Sequence, residues 1–241
     1  MNEELDFVRI AAWNLNHRAR EKPISPKVAK AVQEIAPDVL VLNEYVDGQS
    51  RQQLRADLEA LGLVNQLVSE RISGQNQVLI ASRLPFEPGA LRGPATQDGA
   101  GAANFLHVRL PSVNLDLIGI RVPWYTGKPL TFYWDLLMPL IEATRSKRAV
   151  WIGDLNADPE RPINVGGRRL AALRSAGWQI PAADGQWSFP TGSRIDHALV
   201  ASSLRVGSAR YITTLNGQSM IGLQQPETAS DHAALLLEVG V

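Results

Sequence analysis

The 241-residue chain has no cysteine, which removes structural disulfides, thiolate nucleophiles and Cys-based zinc sites from consideration. It also lacks an excess charge of either sign. With 24 basic residues against 24 acidic ones, no global field draws it to nucleic acid or to an anionic membrane. No apolar stretch approaches the roughly 18 residues that suggest a membrane span. The N-terminus, MNEELDFVRIAAWN, carries acids where a signal peptide would carry basic residues, so a cytoplasmic protein is expected. No repeat with a period of about 20 to 50 residues is visible, which excludes a solenoid or propeller.

What remains is ordinary for a globular protein with a sizeable core, at 45% hydrophobic and 20% charged residues. No Ser/Gly-rich or charge-run linker interrupts the chain, so a single domain over residues 1–241 is expected. Local basic crowding occurs twice, at Arg18, Arg20, Lys22, Lys27 and Lys30 and again at Arg145, Lys147 and Arg148. Solvated helix ends account for both stretches, and local nucleic-acid contact is the alternative reading.

Apolar runs predict strands near 7–13, 38–42, 63–69, 77–82, 103–109, 115–121, 149–153, 194–200, 205–212 and 233–239. Ser25-Pro26 is a helix start, serine as cap and proline in the first turn, with Val28, Val32 and Ile35 on one face until Pro37. Further helices are expected near 50–61, 131–146 and 167–176, the second kinked or split by Pro139. Residues 85–101, rich in Gly and Pro, predict a loop. Many strands with interspersed helices argue for an α/β layered sandwich.

The polar residues at the strand ends form a set. Residues 151–159 read WIGDLNADP, an apolar strand that gives way to an acid, an amide and a second acid. On a regular strand Asp154 and Asn156 emerge on one side, about 7 Å apart; an Asx-turn of the two before Pro159 is the alternative. The first strand likewise ends in Asn14 and Asn16, and the second in Asn43-Glu44. Asp196 lies on a later strand, and Ser230-Asp231-His232 precede the last one. If these ends converge they make one acidic pocket. Glu, Asp and Asn oxygens suit a hard cation such as Mg²⁺, and a His paired with an Asp is an oriented proton donor or base. Together they describe metal-assisted hydrolysis of a phosphate ester.

The segments NLNHRAR, PDVLVLNE, GDLNADP, RIDHALV and SDHAAL, in this order from about residue 8 to residue 239, resemble the endonuclease/exonuclease/phosphatase superfamily. The first two are most similar to the exonuclease III and abasic-site endonuclease branch. The resemblance implies a four-layer α/β/β/α sandwich of two packed mixed sheets flanked by helices. It implies Mg²⁺ as cofactor, with Mn²⁺ as an alternative, and a phosphate-ester substrate, nucleic acid among the candidates. No partner protein is implied. Glu44 would be the main metal ligand, and Asn14 and Asn16 would help hold metal or phosphate. Asp154 would activate the attacking water and Asn156 orient it, while Asp231 would add a metal contact. His232 would contact the scissile phosphate, with Asp196 fixing its ring. His17, His107 and His197 match no catalytic position.

One position departs from that pattern. Where the superfamily places a His or Tyr after the 115–120 strand, this chain has Arg121-Val122-Pro123-Trp124-Tyr125. An arginine cannot act as acid or base near neutral pH, yet its fork can grip phosphate oxygens in two places. An Arg121 turned outward, in a member of weakened activity, is the competing expectation. Trp124 and Tyr125 are candidates to stack a base or sugar, or else to pack on the following helix. The expected function is a nuclease cleaving DNA or RNA. A phosphatase acting on a small molecule or lipid headgroup, and a binding module that lost turnover, are the alternatives.

Overall fold

The structure, a computed structural model, describes residues 6–16, 24–222 and 228–241. His17 and three of the basic residues singled out above, Arg18, Arg20 and Lys22, lie outside the described residues.

The strands are β1 (Phe7–Asn14), β2 (Val39–Tyr45), β3 (Asn65–Val68), β4 (Gln77–Ser82), β5 (Glu87–Pro88), β6 (Phe105–Leu110), β7 (Leu115–Arg121), β8 (Ala149–Asp154), β9 (Asp196–Val200), β10 (Arg205–Ile212), β11 (Thr214–Leu215), β12 (Gln218–Ser219) and β13 (Ala234–Gly240). The helices are α1 (Pro26–Ile35), α2 (Gln52–Ala60), α3 (Ala100–Ala103), α4 (Gly127–Glu142) and α5 (Val165–Ser175). Two mixed sheets result, ordered β10-β13-β1-β2-β4-β3 and β5-β6-β7-β8-β9, with a small β11-β12 hairpin apart. They pack face to face and carry helices outside, which is the α/β/β/α sandwich expected.

Side-chain alternation explains the layers. Along β7 and β8, Leu115, Leu117, Val150 and Ile152 join the core between the sheets, whereas Ile118, Ile120 and Trp151 pack against Tyr133, Trp134 and Leu137 of α4 and Leu170 and Leu173 of α5. Gly119 lies on the inner face, where a Cβ would come within 2.8 Å of Val41 and 2.9 Å of Val78. Its missing side chain lets the sheets close to packing distance there.

Some element bounds differ from expectation. Helix α4 starts four residues earlier than residue 131, because Pro129 falls in its first turn, where no intrahelical N–H is needed. It runs through Pro139 unsplit and stops at Glu142 rather than 146. The expected 85–101 loop contains the short β5 and leads into α3. The β11-β12 hairpin turns on Asn216 and Gly217, both at positive φ (50° and 74°), a signal visible in the sequence but flanked by strands too short to read.

Candidate active site

The register of the sheets brings the polar strand ends together. Parallel pairing sets Asn14 beside Asn43 and Arg121 beside Asp154, and antiparallel pairing sets Asp154 opposite Asp196. Alternation then aims them. Arg121 shares the inner face with Leu117, Asp154 with Ile152, and Asp196 with Ala198, so all three point into the same end of the sandwich.

Asp154, 1% exposed, is the hub. Asn14 Nδ2 donates to its Oδ2 (2.9 Å), Asn156 Nδ2 to the same oxygen (3.2 Å), and the Asn156 N–H to Oδ1 (3.0 Å). Its own N–H donates to Asn43 Oδ1 (3.1 Å). The expected 7 Å strand spacing of Asp154 and Asn156 is therefore not what forms. The strand ends at Asp154, and Asn156 turns back at φ 47° in an Asx-turn that holds the two side chains in contact. Asn16 repeats the device at φ 50°, its N–H donating to Asn14 Oδ1 (2.8 Å).

Glu44 reaches the pocket by a bulge. Val41 faces the second sheet at Gly119, and Asn43 faces it at Gly153, so strict alternation would turn Glu44 away. The register instead shifts between Leu42 and Tyr45, and Glu44 takes φ 54°. For a residue with a Cβ that conformation is strained, and it re-aims the carboxylate onto Arg121, whose Nη2 lies 2.8 Å from Glu44 Oε1. Arg121 Nε sits 3.7 Å from Asp154 Oδ2. With its side chain 13% exposed, Arg121 points into the pocket, contrary to the outward-turned expectation.

His232 is held on every side. Its Nδ1 meets Asp196 Oδ2 at 2.9 Å, its N–H donates to Ser230 Oγ (3.1 Å), its carbonyl accepts from Trp13 Nε1 (2.8 Å), and its ring packs on Phe189 at 5.0 Å. Ser230 Oγ in turn donates to the Asn14 carbonyl (2.6 Å), linking the histidine segment to β1. Asp231 and His232 both precede β13, which allows neighbours to face one pocket; His232 Nε2 lies 3.9 Å from Asp231 Oδ1.

Burial and neighbouring charge separate the proton affinities. Burial pushes Asp154 up to about 6, with the Asp196 carboxylate adding to the rise and His232 and Arg121 opposing it. Burial pulls His232 down, but the charge and hydrogen bond of Asp196, with Asp154 and Asp231, overcome it and hold the imidazole up at about 9. At neutral pH the pocket thus sets a carboxylate beside an imidazolium. His107 and His197 are lowered by burial, and each is bonded within its own sheet region, to Asp116 and to the Arg194 carbonyl, away from this chemistry.

Trp124 stands 77% exposed beside the pocket strand, free of tight packing. Tyr125 behaves differently: its hydroxyl donates to Asp98 Oδ2 (2.6 Å) and its ring packs edge-on against Tyr133 of α4 at 5.9 Å. Tyr125 thus packs on the following helix, one of the two placements expected for it. Asn43, Ser230 and Trp13 also belong to the constellation although the sequence assigned them no role; of these, Asn43 and Ser230 carried a signal, as polar residues at strand ends. Phe189, against the His232 ring, falls in the 187–190 stretch that the family resemblance puts near the substrate.

The candidate metal donors are hard oxygen, from the carboxylates of Glu44 and Asp231 and the amide of Asn16, which fits Mg²⁺ or Mn²⁺ better than a soft metal. No group of three His, Asp or Glu side chains arranged to hold a metal occurs among the described residues. Mg²⁺ does not require one, since it takes one or two protein carboxylates and completes its shell with water and substrate oxygens.

The profile of the endonuclease/exonuclease/phosphatase family matches residues 11–232. Among solved structures, an endonuclease/exonuclease/phosphatase from Beutenbergia cavernae superposes with a TM-score of 0.70 at 18% identity, covering 98% of this chain and 72% of that one. An AP endonuclease from Archaeoglobus fulgidus superposes with a TM-score of 0.66 at 19% identity, over 95% and 98% of the two chains. A 3′ phosphatase from Neisseria bound to product DNA hairpin does so with 0.66 at 19% identity, over 97% and 100%. No curated protein matches the sequence significantly. At these identities the superpositions establish the fold, and the profile, spanning both sheets and every strand end of the pocket, establishes that the chain belongs to the endonuclease/exonuclease/phosphatase family of phosphoester hydrolases.

Proposed function

We propose that the protein is a divalent-metal-dependent phosphoester hydrolase acting on DNA or RNA, by attack of water on phosphorus. The observation that carries the reading is the buried Asp154 carboxylate, fixed by two asparagine side chains and set in one pocket with the Asp196–His232 pair. Asp154 accepts the proton of the attacking water; its value near 6 leaves it ionised, and basic enough to do so, at neutral pH. Asn156 and Asn14 orient that carboxylate, and through it the water. His232, held as imidazolium by Asp196, donates from Nε2 to a phosphate oxygen. Arg121 supplies a second, permanently cationic donor for the same phosphate. Glu44, Asn16 and Asp231 would hold Mg²⁺ or Mn²⁺, which would neutralise phosphate charge and orient the ester.

The nucleic-acid preference rests on the similar AP endonuclease and DNA-bound 3′ phosphatase, together with Trp124, whose exposed indole suits a base at the mouth of the pocket. A second reading, a phosphomonoesterase, is favoured by Arg121, because a terminal phosphate carries more negative charge than an internal diester. A substrate panel separates them: single- and double-stranded DNA, abasic DNA, 3′-phosphorylated DNA, RNA, inositol phosphates and generic mono- and diesters, each with Mg²⁺, Mn²⁺ or EDTA. Chelator-sensitive cleavage of a nucleic acid supports the first reading, and turnover confined to monoesters supports the second.

A further inference from the structure

Arg121 is placed on the carboxylate that the cation would use. Its Nη2 is 2.8 Å from Glu44 Oε1 in a pocket where both side chains are nearly buried, so the pair interacts with little solvent screening. The guanidinium is not saturated by that contact. Its Nε is buried without a hydrogen-bond partner, and Asp154 Oδ2 at 3.7 Å is too distant to provide one. Arg194, by contrast, spends its guanidinium on the carbonyls of Ala183, Gly185 and Gln186. Arg121 is bound at one edge and has donor capacity left at another.

We propose that Arg121 competes with the divalent cation for Glu44 and passes to the substrate phosphate when the cation takes that carboxylate. The inference rests on the cation-dependent hydrolase reading given above. Two ligands that exchange one side chain are energetically linked. A phosphate that draws Arg121 off Glu44 makes the carboxylate available to the cation, and the cation, by the same factor, makes Arg121 available to the phosphate. In the protein without phosphate, Arg121 therefore lowers cation affinity and so sets how much substrate must be present before the site fills. The positive φ of Glu44 lies at the register shift between β2 and β4, in the backbone rather than in its contact with the arginine.

The test is calorimetric titration of Mg²⁺, and separately Mn²⁺, into the purified full chain, with no ester substrate present. Wild type is compared with Arg121→Gln, Arg121→Lys and Glu44→Gln, each checked for an unchanged circular-dichroism spectrum. Arg121→Gln is expected to bind the cation about tenfold more tightly than wild type, within the usual range of such couplings. Arg121→Lys keeps the positive charge, stays near wild type, and serves as the comparison if the glutamine variant folds poorly. Inorganic phosphate is expected to tighten cation binding more in wild type than in Arg121→Gln. The proposal is overturned if Arg121→Gln binds the cation equally or more weakly, which would make Arg121 a support for Glu44. If neither wild type nor any Arg121 variant binds either cation, the cation-dependent reading fails first and takes this inference with it.

Discussion

Asn14 Nδ2 donates to Asp154 Oδ2 across 2.9 Å, a bond between residues 140 apart that joins the end of β1 in one sheet to the end of β8 in the other. It places the proposed base at the seam of the sandwich, where neither sheet alone could orient it. Asn14→Ala removes one hydrogen bond to a charged oxygen and leaves Asn156 alone to hold the carboxylate's orientation. A loss of about 1.5 to 3 kcal/mol in transition-state stabilisation is expected, seen as a tenfold to hundredfold lower kcat with a smaller change in KM. Steady-state kinetics on the best panel substrate checks it.

Proton affinities provide a readout independent of substrate. In the metal-free protein, NMR titration should find His232 losing its proton at about 9 and Asp154 at about 6. The sign follows from linkage. His232 holds its proton more tightly folded than unfolded, so the Asp196–His232 pair contributes full stability below about 6.5 and loses it as pH rises through about 9. Asp196→Asn should lower the His232 value and weaken that dependence of Tm on pH. If Asp196→Asn and His232→Ala lower catalytic efficiency by free energies that simply add in the double variant, the two side chains act separately and the pairing has no catalytic role.

Arg121→Ala, assayed at saturating Mg²⁺, should cost about 1.5 to 3 kcal/mol in catalytic efficiency, the range for a hydrogen bond to a charged group. Arg121→His should raise diesterase relative to monoesterase activity, because it replaces a fixed fork with a smaller, titratable donor. Efficiency within about twofold of wild type for Arg121→Ala would take the guanidinium out of the phosphate site.

Gly153 tests the architecture rather than the chemistry. At φ 145° a Cβ there would lie 2.0 Å from the Ile120 carbonyl oxygen and 2.5 Å from Asn43 Oδ1, so Gly153→Ala must push β8 off β7 and displace the acceptor that holds the Asp154 N–H. A destabilisation of roughly 2 to 4 kcal/mol is expected in chemical denaturation.

Much of this was readable because alternation is a strong code. Once Leu117, Ile152 and Ala198 are assigned inward, Arg121, Asp154 and Asp196 follow by parity, and the convergence of the strand ends needs only the order of the strands. What alternation could not give are the places where the backbone leaves it. Nothing in PDVLVLNE announces that Glu44 sits at positive φ in a bulge, and regular spacing misplaced Asn156, which an Asx-turn folds back onto Asp154. Both departures occur at residues proposed to do chemistry. The bond from Tyr125 to Asp98 joins two loops 27 residues apart, and no local pattern encodes it.

The most direct test of the account is the turnover of Asp154→Asn on the best substrate of the panel, with saturating Mg²⁺ and a circular-dichroism spectrum matching wild type. The substitution removes the one group assigned to take the proton of the attacking water and leaves the fold's apolar core untouched. A fall in kcat of about 10²-fold or more, the usual contribution of a positioned base, is the result expected here. Turnover by Asp154→Asn within a fewfold of wild type would contradict the assignment of this pocket as the site of hydrolysis.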